Sequence, residues 1–202
     1  MARKIRVLLL KMMTTFYRRA IVVARPIDHT IPEANPRLPI VMTLLKEGDL
    51  PGYIQLRPDQ DLNMIRMRLA NGNQCFAVWH DGRIVHTGWV TTKPKYEPYL
   101  RRKLMLQPGD IFLYDSYTHP SLRRFGLAQT RDVHVLCHYR EEGYRRSIAI
   151  VAIENKLAFR PIRAVGYRSI GMLKCLRFGP WQLNWEERWG EEPLPTLTKI
   201  KI

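Results

Sequence analysis

The sequence predicts an α/β fold in which helices pack on a mixed sheet, and two observations set that class. Cys75–His80 and Arg83–Val90 are strand-like runs separated by Asp81-Gly82, the residue pair a tight hairpin turn demands, so antiparallel pairing is present. Further on, the apolar run Ile111–Tyr114, an amphipathic stretch reaching Glu142 and the run Ser147–Ile153 form a strand-helix-strand crossover. A connection of that length implies a parallel pair.

In chain order, residues 1 to about 25 read as a basic amphipathic helix, with Val7, Leu8 and Leu10 followed by Phe16, Ala20 and Val23 at turns of three and four. Its apolar side covers the domain or a second copy in a homodimer, or its Lys and Arg rim makes it a membrane-surface anchor. Pro26, Pro32, Pro36 and Pro39 make 26–39 a linker without regular structure, so 1–39 is an extension and the compact domain runs from Ile40 to Phe178.

Ile40–Lys46 is the first strand of that domain. Asp49 and Pro51 mark a helix start, and Pro58 a second, leading into Leu62, Ile65 and Leu69 and stopping at Gly72. After the hairpin, residues 92–108 form a long loop carrying Tyr96, Tyr99 and Arg101-Arg102-Lys103, either a solvated insertion or the border of a substrate site. Gly109-Asp110 opens the central strand, and the helix after it ends at Gly143. Asn155–Val165 is a short helix bent at Pro161, and Tyr167–Phe178 supplies a last strand pair. In 179–202, Trp181, Trp185 and Trp189 recur every four residues on one side of a short helix, a spacing suited to core or subunit contact.

A chain of 202 residues with 46% hydrophobic content suits one domain with an extension. Its 33 Lys+Arg against 18 Asp+Glu give +15, which favours an anionic partner: a phosphorylated cofactor, an acidic acyl carrier protein, nucleic acid or a membrane surface. The basic residues fall in twos and threes rather than in one arm, which argues against nucleic acid. Cys75, Cys137 and Cys175 form neither a metal-spaced pair nor an even disulfide set, so no metal is expected. Lys11, Arg18 and Arg19 interrupt the most apolar window, Val7–Ala24, and deny it both a membrane span and a signal peptide. The expected setting is cytoplasmic, with peripheral contact to the inner face of the membrane open to the first helix.

Functional chemistry concentrates where the central strand gives way to a helix, at Asp115-Ser116-Tyr117-Thr118-His119 and the turn that follows. Unpaired N–H groups and the positive end of a helix dipole meet there, an anion site. The turn is neither the phosphate loop nor the Gly-x-Gly-x-x-Gly of dinucleotide folds. It reads Arg123-x-x-Gly126-x-Ala128, which resembles the Arg/Gln-x-x-Gly-x-Gly/Ala signature of the GNAT superfamily of N-acyltransferases. A second motif of that family is matched by Asn155, Ala158 and Gly166-Tyr167, and the order of elements over 40–178 agrees with it.

The resemblance implies a mostly antiparallel twisted sheet whose central parallel pair splays apart, with helices on both faces. It implies acetyl-CoA, or another acyl-CoA, as acyl donor. Arg123 and Arg124 with the N–H groups of Phe125, Gly126, Leu127 and Ala128 would then hold the pyrophosphate. Backbone near Tyr117 and Thr118 would pair with the pantetheine arm, and Asn155 would hold it from the other side.

The chemistry so implied is attack of an amine on a thioester, which needs a proton acceptor and relief for the departing thiolate. Asp115, Tyr117 and His119 alternate to one face of an ideal strand, so any of them is a candidate base, directly or through water. Each also has a structural reading: Asp115 pairs with an arginine, Tyr117 fills core, His119 shapes the turn before Pro120. Where many family members carry a Tyr to protonate the thiolate, this chain has Ile162, so Tyr167 or water replaces it or the thiolate leaves unaided. The function expected is transfer of acetyl to a primary amine of a small molecule or protein. The alternatives are a longer-chain acyltransferase fed by acyl-CoA or acyl carrier protein, and a non-catalytic CoA-binding or nucleic-acid-binding module.

Overall fold

The computed structural model describes residues 17–178 and 181–198. Strand β1 (Tyr17–Pro26) leads through β2 (Val41–Leu44), helices α1 (Leu50–Leu56) and α2 (Leu62–Ala70), and the hairpin β3 (Gln74–His80) and β4 (Arg83–Thr91). Short strands β5 (Lys95–Glu97) and β6 (Arg102–Met105) precede β7 (Asp110–Thr118), α3 (Leu127–Glu141), β8 (Arg146–Ala152) and α4 (Lys156–Ala164). Strands β9 (Arg168–Phe178), β10 (Trp181–Arg188) and β11 (Thr196–Thr198) complete the described chain.

The main sheet has the order β10-β9-β1-β8-β7-β4-β3-β2. Within it β7 and β8 are parallel, and every other neighbouring pair is antiparallel. The hairpin turn uses Asp81 (φ 48°) and Gly82 (φ 71°), the two positive φ values that match the twist of the flanking strands. Against one face of the sheet pack α1, α2 and a small second sheet β11-β6-β5, with Tyr53, Ile65, Leu100 and Leu104 around Trp89 and Phe112. Against the other pack α3 and α4, where Val135, Leu136 and Val165 meet Val23, Phe76 and Ile111. No helix of the described residues is long and apolar enough to cross a membrane.

Several elements depart from the sequence reading. The N-terminal helix expected to reach residue 25 is replaced from Tyr17 onward by β1, which lies between β8 and β9 in the middle of the sheet. The reason is the run Ala20-Ile21-Val22-Val23-Ala24, whose β-branched residues favour a pleated surface buried on both faces. The rest of that expected helix, residues 1–16, lies outside the described residues. Trp181 and Trp185 of the tryptophan row stand on strand β10, with Trp189 just past its end, rather than on a helix. A four-residue spacing also satisfies the two-residue period of a strand, and Trp181, Leu183 and Trp185 in fact alternate. Tyr167–Phe178 is one long strand rather than a pair, and it serves both β1 and β10. The expected long loop contains β5 and β6, tied down by β11.

Residues 27–40 have no regular structure, as expected, yet they form a packed strap rather than a spacer. Ile27 is fully buried on the α3 and α4 face, with Ile31 packed beside it. The Arg37 N–H donates to the Phe125 carbonyl at 3.1 Å.

Candidate functional site

The parallel pairing of β7 with β8 runs only from Asp110 opposite Arg146 to Leu113 opposite Ala149. Beyond it β7 continues to Thr118 and β8 to Ala152, so the two strands part and leave facing backbone edges unpaired with each other. A bulge marks the parting. Asp115 has φ 47°, and the register between β4 and β7 shifts between Thr87 and Trp89, placing Asp115 and Ser116 opposite Gly88.

At the end of β7 a 3-10 turn, Pro120–Leu122, leads into the turn Arg123–Gly126 that starts α3. Arg124 (φ 74°) and Gly126 (φ 83°) are both left-handed, a conformation in which successive amides converge. The first helical bond is Thr130 N–H to the Gly126 carbonyl at 2.9 Å. Among the described residues nothing accepts from the N–H groups of Leu127, Ala128 or Gln129, so the positive end of a 15-residue helix is open, flanked by Arg123 and Arg124. A Cβ on Gly126 would meet only Asn35 O at 3.7 Å and Pro36 Cα at 3.8 Å, so glycine is needed for its backbone angle rather than for space. Across the gap, the exposed Asn155 caps α4 without a side-chain bond to that helix. Its side-chain amide has no described partner, while its backbone N–H donates to the Ala152 carbonyl at 2.9 Å. The residues predicted for pyrophosphate and pantetheine thus lie at the ends of the two parted strands, where among the described residues the first N–H groups of α3 have no acceptor.

The three candidate bases are not equivalent. Because of the bulge, Tyr114, Asp115 and Tyr117 share the α1 and α2 face, whereas Ser116 turns to α3. The carboxylate of Asp115 is held by Arg57 Nη1 at 3.0 Å and Arg68 Nη1 at 2.5 Å. Burial raises its proton affinity, but the hydrogen bonds and charges of Arg68 and Arg57 outweigh it and hold the carboxyl below its usual range. That environment makes Asp115 a weak base and an electrostatic anchor. The Arg57 guanidinium lies 4.5 Å above the Tyr117 ring and also pairs with Asp59 at 3.1 Å. His119 is exposed at the end of the strand, its Nδ1 2.7 Å from Ser121 Oγ, and its Nε2 has no described partner.

At the position where the tyrosine acid is missing, Ile162 packs from α4 against the apolar residues beneath that helix. Tyr167 is buried with its hydroxyl 2.6 Å from Ser147, opposite Ile111 and thus before the strands part. Burial pushes its phenol far up. It stands at the wrong end of β8 to serve the splayed edge.

A buried polar group that the sequence reading missed supports the bulge from the α3 side. Arg131 Nη2 donates to Ser116 Oγ at 2.9 Å, and its Nε donates to His86 Nε2 at 3.4 Å. His86 is thereby the tautomer whose Nδ1–H donates to Thr118 Oγ1 at 2.7 Å. Burial and the adjacent Arg131 push its pKa well below the usual value, so it stays neutral. Arg131 Nη1 also sits 2.9 Å from Asp132 Oδ1, an ion contact at an angle that makes no hydrogen bond. Burial raises the Asp132 carboxyl, and Arg131 pulls it only part of the way back. Gly88 makes room for all of this: a Cβ there would lie 2.5 Å from Arg131 Cζ. The lone glycine inside β4 was the one sequence signal of this group.

The 92–108 loop, read as either a solvated insertion or the border of a substrate site, packs along both parted strands. Lys95 Nζ lies 4.2 Å from the centre of the Tyr114 ring on the β7 side. On the β8 side the Tyr99 hydroxyl donates to Glu154 at 3.0 Å, and burial with that carboxylate pushes its pKa to about 12.

No family model matches the sequence. Solved structures share its fold. A GNAT-family acetyltransferase from Colwellia psychrerythraea superposes with a TM-score of 0.56 at 15% identity, over 85% of this chain and 57% of that one. The aminoglycoside antibiotic 6'-N-acetyltransferase from Acinetobacter baumannii gives 0.51 at 16%, over 65% and 92%. The ribosomal-protein-S18-alanine N-acetyltransferase from Escherichia coli gives 0.50 at 12%, over 64% and 78%. At these identities the likeness is one of fold.

Proposed function

Because the chain has the fold of the GNAT N-acetyltransferases, we propose that it is an N-acyltransferase, moving an acyl group, acetyl foremost, from a CoA thioester to an amine. The observation that carries this reading is the splay: β7 and β8 separate past Leu113 and Ala149, and the open end of α3 stands where β7 finishes. Arg123, Arg124 and the free N–H groups of Leu127, Ala128 and Gln129 hold the donor's phosphates through charge-assisted hydrogen bonds. The freed edge of β7 pairs with the arm and directs the thioester toward Asp115 and Tyr117. There the amine nitrogen bonds to the acyl carbon, the C–S bond breaks, and its electron pair leaves on sulfur. The amine proton passes to the His119 imidazole or to water, with the Tyr117 hydroxyl able to relay it, and the thiolate leaves without a tyrosine acid.

Thermal unfolding with and without acetyl-CoA tests this. A donor at a hundred times its Kd stabilises a folded chain by about 2.7 kcal/mol, an upward shift of about 5–10 °C at this size. The substitution Gly126→Val forces an L-residue into φ 83° and removes that shift. Absence of stabilisation by acetyl-CoA and by longer acyl-CoA alike would overturn the reading. A second reading, a non-catalytic CoA-binding module, draws on the engagement of Asp115 by two arginines. It predicts the same stabilisation with no release of CoA thiol in the presence of any amine.

A further inference from the structure

On the α1 and α2 face, the wall of the splayed edge is cationic. Arg57, Arg68 and Lys95 come together there around Tyr114 and Tyr117. Asp115 is the one partly buried carboxylate among them, and both its oxygens are taken by Arg57 and Arg68. The other nearby acids are spent elsewhere: Asp59 is exposed and bound by Arg57, and Glu97 accepts from the Tyr99 N–H at 3.1 Å. Arg68 uses only Nη1 on Asp115, and among the described residues its Nε and Nη2 donate to nothing. Lys95 donates to the Tyr96 carbonyl at 3.0 Å and forms no ion pair with a described residue. Burial lowers its pKa, with Glu97 opposing, as for an ammonium without a close counter-ion.

Resting on the acyl-transfer reading, we infer that the acceptor is an amine that also carries a carboxylate, and that Arg68 and Lys95 hold this carboxylate above Tyr114. The planar edge of a guanidinium left free by Asp115 matches a carboxylate in two parallel hydrogen bonds, and the Lys95 ammonium adds a point charge beside it. With its acid group so held, the acceptor presents its amine toward the parted strands next to Tyr117. A polycation such as a polyamine or aminoglycoside meets three positive side chains and no free carboxylate, so it is repelled.

The test sets α-amino acids against their own primary amides and against spermidine, with acetyl-CoA as donor and free CoA thiol as readout. The acids are expected to exceed their amides at least tenfold in kcat/KM, with spermidine lowest. Lys95→Met raises KM for the acids about tenfold and leaves the amides and the KM for acetyl-CoA unchanged, which a merely structural lysine would not do. Equal rates for acids and amides, or turnover of spermidine ahead of both, would overturn the inference while leaving the acyltransfer reading intact. Should acetyl-CoA fail to bind, thermal shift by the amino acids alone still decides: stabilisation of the wild type lost in Lys95→Met supports the site, and none in the wild type removes it.

Discussion

Replacing Gly88 with alanine puts a methyl group where the Arg131 guanidinium lies. The new Cβ would stand 2.5 Å from Cζ, 2.7 Å from Nε and 2.8 Å from Nη2, distances that carbon never adopts, so the side chain must leave. Arg131 is only 3% exposed, and its displacement breaks the bonds to Ser116 and His86 and strands Asp132. Two hydrogen bonds from a charged donor are worth about 1.5–3 kcal/mol each, the 3.4 Å bond to His86 at the low end. Alanine in a strand returns about 0.5–1 kcal/mol of backbone entropy. The net expectation is a loss of about 2–4 kcal/mol, read as a lower urea midpoint at unchanged slope. Gly48→Ala, whose Cβ meets nothing within 4 Å, is the control and stays within about 0.5 kcal/mol of wild type. If Gly88→Ala also stayed within that margin, the packing of Arg131 into the bulge would be wrong.

Two further variants probe the site. Asp115→Asn at neutral pH leaves Arg57 and Arg68 without their anion and costs about 2–3 kcal/mol, less than a fully buried pair because the carboxylate is 22% exposed. Since the folded-state pKa is depressed, the stability Asp115 contributes is fully present above its unfolded value of about 4 and is lost as pH falls through the lower folded value. The wild type and Asp115→Asn should therefore converge in acid unfolding, and a gap that persisted unchanged to low pH would contradict the assignment. Tyr167→Phe leaves the buried Ser147 hydroxyl unpaired and lowers stability by about 1–2 kcal/mol. Acyl transfer per folded molecule should be unaffected; a collapse of kcat in a folded Tyr167→Phe protein would make this phenol the thiolate acid after all.

What the sequence made legible was local chemistry. Asp81-Gly82 announces its hairpin because the turn's φ values restrict which residues fit, and Gly126 announces the α3 start for the same reason. The splay was expected from the family resemblance, and the structure has it. The strand at Tyr17–Pro26 was hidden because three- and four-residue spacings across the basic N-terminal stretch also suit a helix, and what decides is the sheet it joins. The linking of Asp115 to Arg57 and Arg68 was open among several readings, since the three residues span 58 positions and meet only through the bulge. His86 and Arg131 carry no motif. Only the room left at Gly88 brings them together.

The placement of β1 bears on how the chain comes into being. Its partners are Arg146–Ala152 of β8 and Arg168–Leu176 of β9, so the first described strand to be synthesised has one edge empty until β8 is made and the other until β9 follows. At about 5–20 residues per second a ribosome takes on the order of ten seconds to supply them. During that time an apolar, two-edged segment is exposed with no native neighbour, which makes the nascent protein a substrate for chaperones and a hazard for intermolecular pairing. Closure of the sheet is therefore a late event, complete only when β1 lies between β8 and β9.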